Sequence, residues 1–121
     1  MKIEKFEDIE AWKEARILMK EVYQNFMIIK DYGFKDQIQR AATSIMSNIA
    51  EGFDRGSNKE FVQFLIIARG SVSEVKSLSY AALDIGYISE DIFKSIIERC
   101  FKLINRINGF IRYLRTSDRK R

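Results

Sequence analysis

Gln37-Ile-Gln-Arg-Ala-Ala-Thr-Ser-Ile-Met-Ser-Asn-Ile-Ala-Glu-Gly52 is the stretch from which the fold is read. Ile38, Ile45 and Ile49 return at helical spacing. Ala41, Ala42, Ser44, Ser47 and Ala50 keep the surface beside them small, so neighbouring helices can approach closely. The spacing predicts a helix over about Lys35 to Phe53, stopped by the Gly52 and Gly56 pair.

Working outward, Ile9, Trp12, Ala15, Met19, Val22, Tyr23 and Phe26 predict a first helix from about Asp8 to about Lys30. Asp31-Tyr-Gly33 is expected to end it, because glycine most readily takes the left-handed conformation just past a helix. Ser57-Asn-Lys-Glu60 reads as a capping box opening a third helix that closes at Gly86. Gly70 lies inside that helix, where a glycine costs about 1 kcal/mol relative to alanine, and is expected to mark a close backbone contact. Ser89 caps a fourth helix running to Tyr113 or Leu114, with Glu90 and Asp91 complementing its dipole. Short breaks between long helices predict an all-α, antiparallel up-down-up-down four-helix bundle. Residues 1–121 are expected to form a single domain with a short N-terminal segment, 1–7, and a basic tail, 116–121.

Composition fits that architecture. The chain has 121 residues, 46% of them hydrophobic, and no proline to interrupt a helix. The charged N-terminus lacks the apolar core of a secretory signal, and no apolar run approaches the roughly 20 residues needed to span a bilayer. With one cysteine, Cys100, set among Ile96, Ile97 and Ile104, a buried thiol in a cytoplasmic protein is expected.

On a helical wheel Phe61, Val62, Phe64, Leu65, Ile66 and Ile67 spread around nearly the whole circumference of the third helix. One bundle is too small to cover all of these faces, which predicts a homo-oligomer with Phe61, Val62, Phe64, Ile66 and Ile67 at the interface. The alternative is that the N-terminal segment covers the surplus within a monomer. Arg40, Asn48, Glu51 and Arg55, with Glu74 on the third helix, are expected to form a buried structural network that fixes helix register and subunit contacts, in preference to a catalytic constellation.

Charge is uneven. Residues 94–121 carry nine Lys or Arg against Glu98 and Asp118, and the rest of the chain is net acidic, although the whole is +4. Lys94, Lys102 and Arg112 lie opposite the apolar arc of the fourth helix, Arg99, Arg106 and Arg115 flank it, and Arg119, Lys120 and Arg121 extend the run. Such a stripe, repeated in an oligomer, is expected to attract nucleic-acid phosphates, whereas the alternative reading is a solvated helix face.

The chain has no histidine, which excludes di-iron Glu-x-x-His bundles and helical ribonucleases that need an Arg followed closely by His. Zinc-spaced cysteines and a phosphate-cradling glycine loop are also absent. Glu7, Asp8, Glu10 and Glu14 read as a solvated first turn. Neither an enzyme nor a cofactor is expected.

Phe6-Glu-Asp-Ile-Glu-Ala-Trp12-Lys-Glu-Ala15, Gln37-Ile-Gln-Arg40, Ser44-Ile, Ser47-Asn-Ile-Ala-Glu-Gly52, Arg55, Lys59-Glu-Phe61, Ala68-Arg-Gly-Ser71, Glu74 and Gly86-Tyr-Ile together resemble the bacterial four-helix bundle family of ribosomal RNA intervening-sequence proteins. The resemblance covers nearly the whole chain and implies an up-down bundle with no established catalytic activity. By similarity to the accessory variability protein of diversity-generating retroelements, it also implies a homopentameric ring with a positive surface for RNA or DNA, acting with a reverse transcriptase. Where relatives often carry a proline within the second helix, Ser44-Ile-Met46 stands here, so a straighter helix is expected. Two readings follow: a non-enzymatic nucleic-acid-binding ring, or a scaffold that recruits a partner such as a reverse transcriptase without touching nucleic acid.

Overall fold

The computed structural model describes residues 3–117. A 3-10 turn at Phe6–Asp8 precedes helices α1 (Glu10–Phe26), α2 (Tyr32–Asp54), α3 (Asn58–Ile85) and α4 (Glu90–Arg115). Each helix packs against the next and α1 closes on α4, giving an all-α, antiparallel up-down-up-down four-helix bundle. Packing is most extensive between α2 and α3 and thinnest between α1 and α4. No helix among the described residues is long and apolar enough to cross a membrane.

Helix ends follow local chemistry. Ser57 Oγ accepts the Glu60 amide at 3.2 Å and Ser89 Oγ accepts the Ile92 amide at 3.2 Å, each satisfying an orphan donor of a first turn. At the end of α3, Gly86 adopts φ +94°, and the Tyr87 amide reaches back to the Ala82 carbonyl at 2.8 Å.

The α1–α2 junction departs from expectation. α1 stops at Phe26, and Gly33 belongs to the first turn of α2 instead of ending α1. Asp31 is the reason: its Oδ1 accepts the Phe34 amide at 3.2 Å and starts the second helix. Tyr87 donates its hydroxyl to Asp31 Oδ2 at 2.7 Å, joining this junction to the α3–α4 turn. The Tyr87 bond first, then the Phe34 amide, hold the Asp31 carboxyl below its ordinary range, and the same hydrogen bond raises the Tyr87 phenol.

All four helices contribute to one buried core, in which Leu18, Phe26, Ile45, Ile49, Phe61, Leu65, Ile96, Leu103 and Ile107 are almost wholly enclosed. Phe61 and Val62 therefore lie inside their own bundle, contrary to the expectation that they face another subunit. The bundle covers more of α3 than the wheel suggested because α2 and α4 flank it on both sides. Phe64 is half-buried beneath the Arg55 guanidinium, 4.9 Å from the ring centre, and only Ile66 (37% exposed) and Ile67 (52%) keep the predicted exposure.

The glycine expectation is likewise corrected. A Cβ on Gly70 would meet nothing within 4 Å, whereas a Cβ on Gly52 would fall 2.7 Å from Phe64 Cβ and 2.8 Å from Phe61 Cδ1. The close approach of α2 and α3 is made at Gly52.

Candidate nucleic-acid interface

The cations of α4 divide between two flanks. On the side facing α1, Glu21 Oε1 accepts Arg99 Nε at 2.9 Å and Glu21 Oε2 accepts the Ser95 hydroxyl. One turn-pair further along, Glu14 Oε2 accepts Arg106 Nε at 2.6 Å, and Lys102 Nζ lies 3.7 Å from Glu14 Oε1. Both carboxylate side chains are only 17% exposed. Arg99, Lys102 and Arg106 are thus already matched by acids, and a phosphate would have to compete with them. Glu14 is not the solvated first-turn residue that its sequence position suggested.

The opposite flank, along the seam between α3 and α4, has a different character. Arg69 Nη1 donates to the neutral Asn108 Oδ1 at 2.8 Å, and Lys76 Nζ stands 5.6 Å from the centre of the Phe101 ring. Tyr80 meets Phe93 edge to face at 4.8 Å. Nearer the α4 C-terminus, Lys59 and Arg115 line a cavity of about 460 Å³ with Val62, Gln63, Ile66 and Leu114. Asn58 Nδ2 ties its rim to the carbonyls of Leu114 at 3.4 Å and Ser117 at 3.0 Å. Lys94 precedes Phe101 by seven residues and Arg112 follows Asn108 by four, so helical spacing brings both to this side.

Among the described residues, Lys59, Arg69, Lys76, Lys94, Arg112 and Arg115 have no carboxylate within ion-pair distance. Of the stripe predicted on α4, this seam keeps Lys94, Arg112 and Arg115 and adds Lys59, Arg69 and Lys76, which single-helix reasoning missed. The seven-residue spacing of Arg69 and Lys76 was the available signal, obscured by the apolar residues between them. Arg119, Lys120 and Arg121 lie outside the described residues.

The expected polar network does not close within one chain. Arg40 pairs locally with Asp36 at 2.8 Å and is 80% exposed at its side chain, and Arg55 pairs with Glu51 at 2.8 Å. Asn48 donates to the Ser44 carbonyl at 2.8 Å and to Ser44 Oγ at 3.0 Å, the Ser44 and Ser71 hydroxyls join α2 to α3 at 3.1 Å, and Gln37 reaches Glu74 at 3.5 Å. These groups are half-buried or exposed and form a polar face along α2 and α3, with Ile67 at its edge.

No cluster of three or more metal-ligating side chains occurs among the described residues. Cys100 is buried, and burial pushes its thiol up to about 12, far from the thiolate a nucleophile requires.

These features define an up-and-down helical bundle that carries an unmatched basic seam on one side and a hydrogen-bonded polar face on another. Residues 7–109 match the 23S rRNA-intervening sequence protein family, and the chain belongs to that family. Its fold is similar to the crystal structure of a protein of unknown function from the S23 ribosomal protein family of Bacteroides thetaiotaomicron, with a TM-score of 0.78 and 21% identity over 84% of this chain and 97% of that one. Among curated proteins no relative matches.

Proposed function

We propose that this protein is a non-enzymatic, cytoplasmic, RNA-associated bundle that binds nucleic acid along the α3–α4 seam and assembles with copies of itself through the α2–α3 face. The observation that carries this reading is the set of seam cations without carboxylate partners, placed on the far side of α4 from Glu14 and Glu21. An unpaired cation releases a condensed counterion when it meets a phosphate, while an already matched one gains little. The family's name, which ties its members to 23S rRNA intervening sequences, supports RNA as the nucleic acid.

A filter-binding titration against structured RNA tests the seam. If about 5 phosphates of a duplex are neutralised, the logarithm of affinity falls against the logarithm of salt with a slope of about −4 to −5. Joint replacement Arg69→Gln and Lys76→Gln is expected to weaken binding and flatten that slope. Arg99→Gln with Lys102→Gln is expected to change little, since Glu21 keeps Ser95 and Glu14 keeps Arg106. Equal losses from the two double variants, or an absent salt response, would overturn the assignment.

Self-association rests on Ile67, an exposed apolar side chain beside small and polar residues where a second copy can approach. Light scattering after size exclusion should give a multiple of the chain mass, five copies for the ring implied by resemblance. Ile67→Glu should reduce it to one copy with helicity unchanged. A wild-type monomer at micromolar concentration rules self-association out.

A further inference from the structure

Along the α3–α4 seam the unmatched cations alternate with aromatic rings that the core does not use. Phe101 is 59% exposed and Tyr80 is 50% exposed, although each is a large ring that burial would favour. Both are held in place. Lys76 lies over the Phe101 ring at 5.6 Å, and Tyr80 is braced edge to face by Phe93 at 4.8 Å with an interplanar angle of 70°. Tyr80 lies level with Phe93, which precedes Phe101 by eight residues on α4, so the two rings sit about two helical turns, roughly 12 Å, apart along the bundle axis.

A duplex would make no use of these rings. Its base faces are stacked on one another, it presents phosphates and groove edges, and cations alone suffice to bind it. An unpaired strand has free π-faces that stack on aromatic side chains, with phosphates between them for neighbouring Lys and Arg, independent of sequence because every base has such a face. The arrangement of Lys76 against Phe101, with Arg69, Lys94 and Arg112 on the same side, supplies both kinds of group within one strip.

We infer that the α3–α4 seam takes single-stranded nucleic acid in preference to duplex, with Phe101 and Tyr80 as stacking platforms and Arg69, Lys76, Lys94 and Arg112 holding the flanking phosphates. The inference rests on the seam being a nucleic-acid interface. It adds a selectivity that a merely basic surface lacks. An acidic protein segment would be drawn by the same cations and indifferent to flat rings, which separates it from a strand of bases.

The test is fluorescence anisotropy with the full chain and two probes of equal phosphate count, a labelled oligouridylate and a blunt RNA duplex, at matched salt. The oligouridylate should bind the more tightly. Phe101→Leu should weaken single-strand binding about 10-fold while leaving duplex binding unmoved, and Phe101→Trp should restore or strengthen it. The exposed position keeps both variants folded, checked by circular dichroism melts that coincide with wild type. Tyr80→Leu should act in the same direction. Duplex binding as tight as the oligouridylate's, or leucine variants with unchanged single-strand affinity, would overturn the stacking role and leave the basic seam standing. Neither probe binding above background would remove the interface itself, and with it this inference.

Discussion

Phe61→Ala is expected to lower the stability of the protomer by about 3–5 kcal/mol, the range for removing a large aromatic ring from a packed core. Phe61 is 1% exposed. Its ring meets Phe110 edge to face at 5.1 Å and Phe53 at 6.2 Å, so the deletion forfeits aromatic contacts from α2 and α4 together with the buried area itself. Urea unfolding followed by circular dichroism should show the midpoint falling with the slope unchanged. The experiment also separates core from interface. An interface residue would lower the mass of any assembly and leave an isolated protomer's unfolding midpoint in place; a core residue lowers the midpoint of a monomeric chain.

Gly52→Ala is expected to cost about 1–3 kcal/mol, which for an alanine in a helix reverses the ordinary sign. The added methyl would lie 2.7 Å from Phe64 Cβ. That atom is fixed to the α3 backbone, so relief requires the two helices with the most extensive packing in the molecule to move apart. Gly70→Ala is the control: exposed, helical and unobstructed, it should gain about 0.5–1 kcal/mol. Opposite shifts in melting temperature for two glycine-to-alanine changes would locate the close approach; shifts of the same sign would contradict it.

What the sequence disclosed was chiefly local. Ser57, Ser89 and Gly86 begin or end helices through bonds to residues within a few positions, and those signals are complete in the chain itself. Asp31-Tyr-Gly33 was ambiguous for a physical reason: aspartate caps a helix start and glycine commonly follows a helix end, and only the bond from Phe34 to Asp31 decides between them. The family motifs and the helix number were equally legible, and the family is now established.

Partnerships across the bundle were not legible. Arg106 and Glu14 are 92 positions apart and Arg99 and Glu21 are 78, so the wheel of α4 displayed its cations without revealing that those on the flank facing α1 were already neutralised. Gly52 and Gly70 illustrate the same limit, since each sits in a helical pattern and only the neighbouring helix distinguishes them. The apolar girth of α3 suggested more uncovered surface than exists, because a wheel cannot register how far α2 and α4 wrap around it.

The thin joint between α1 and α4 has a further implication. A hollow of about 630 Å³, bordered by Ile3, Ile9, Phe110 and Gly109, takes the place of dense packing at one end of that joint, and the acid–base straps from Glu14 and Glu21 hold the remainder near the surface, where dissolved ions weaken them. The α1–α4 joint is thus the part of the bundle most open to ionic strength, while the α2–α3 pair, closed at Gly52, rests on packing that screening does not reach.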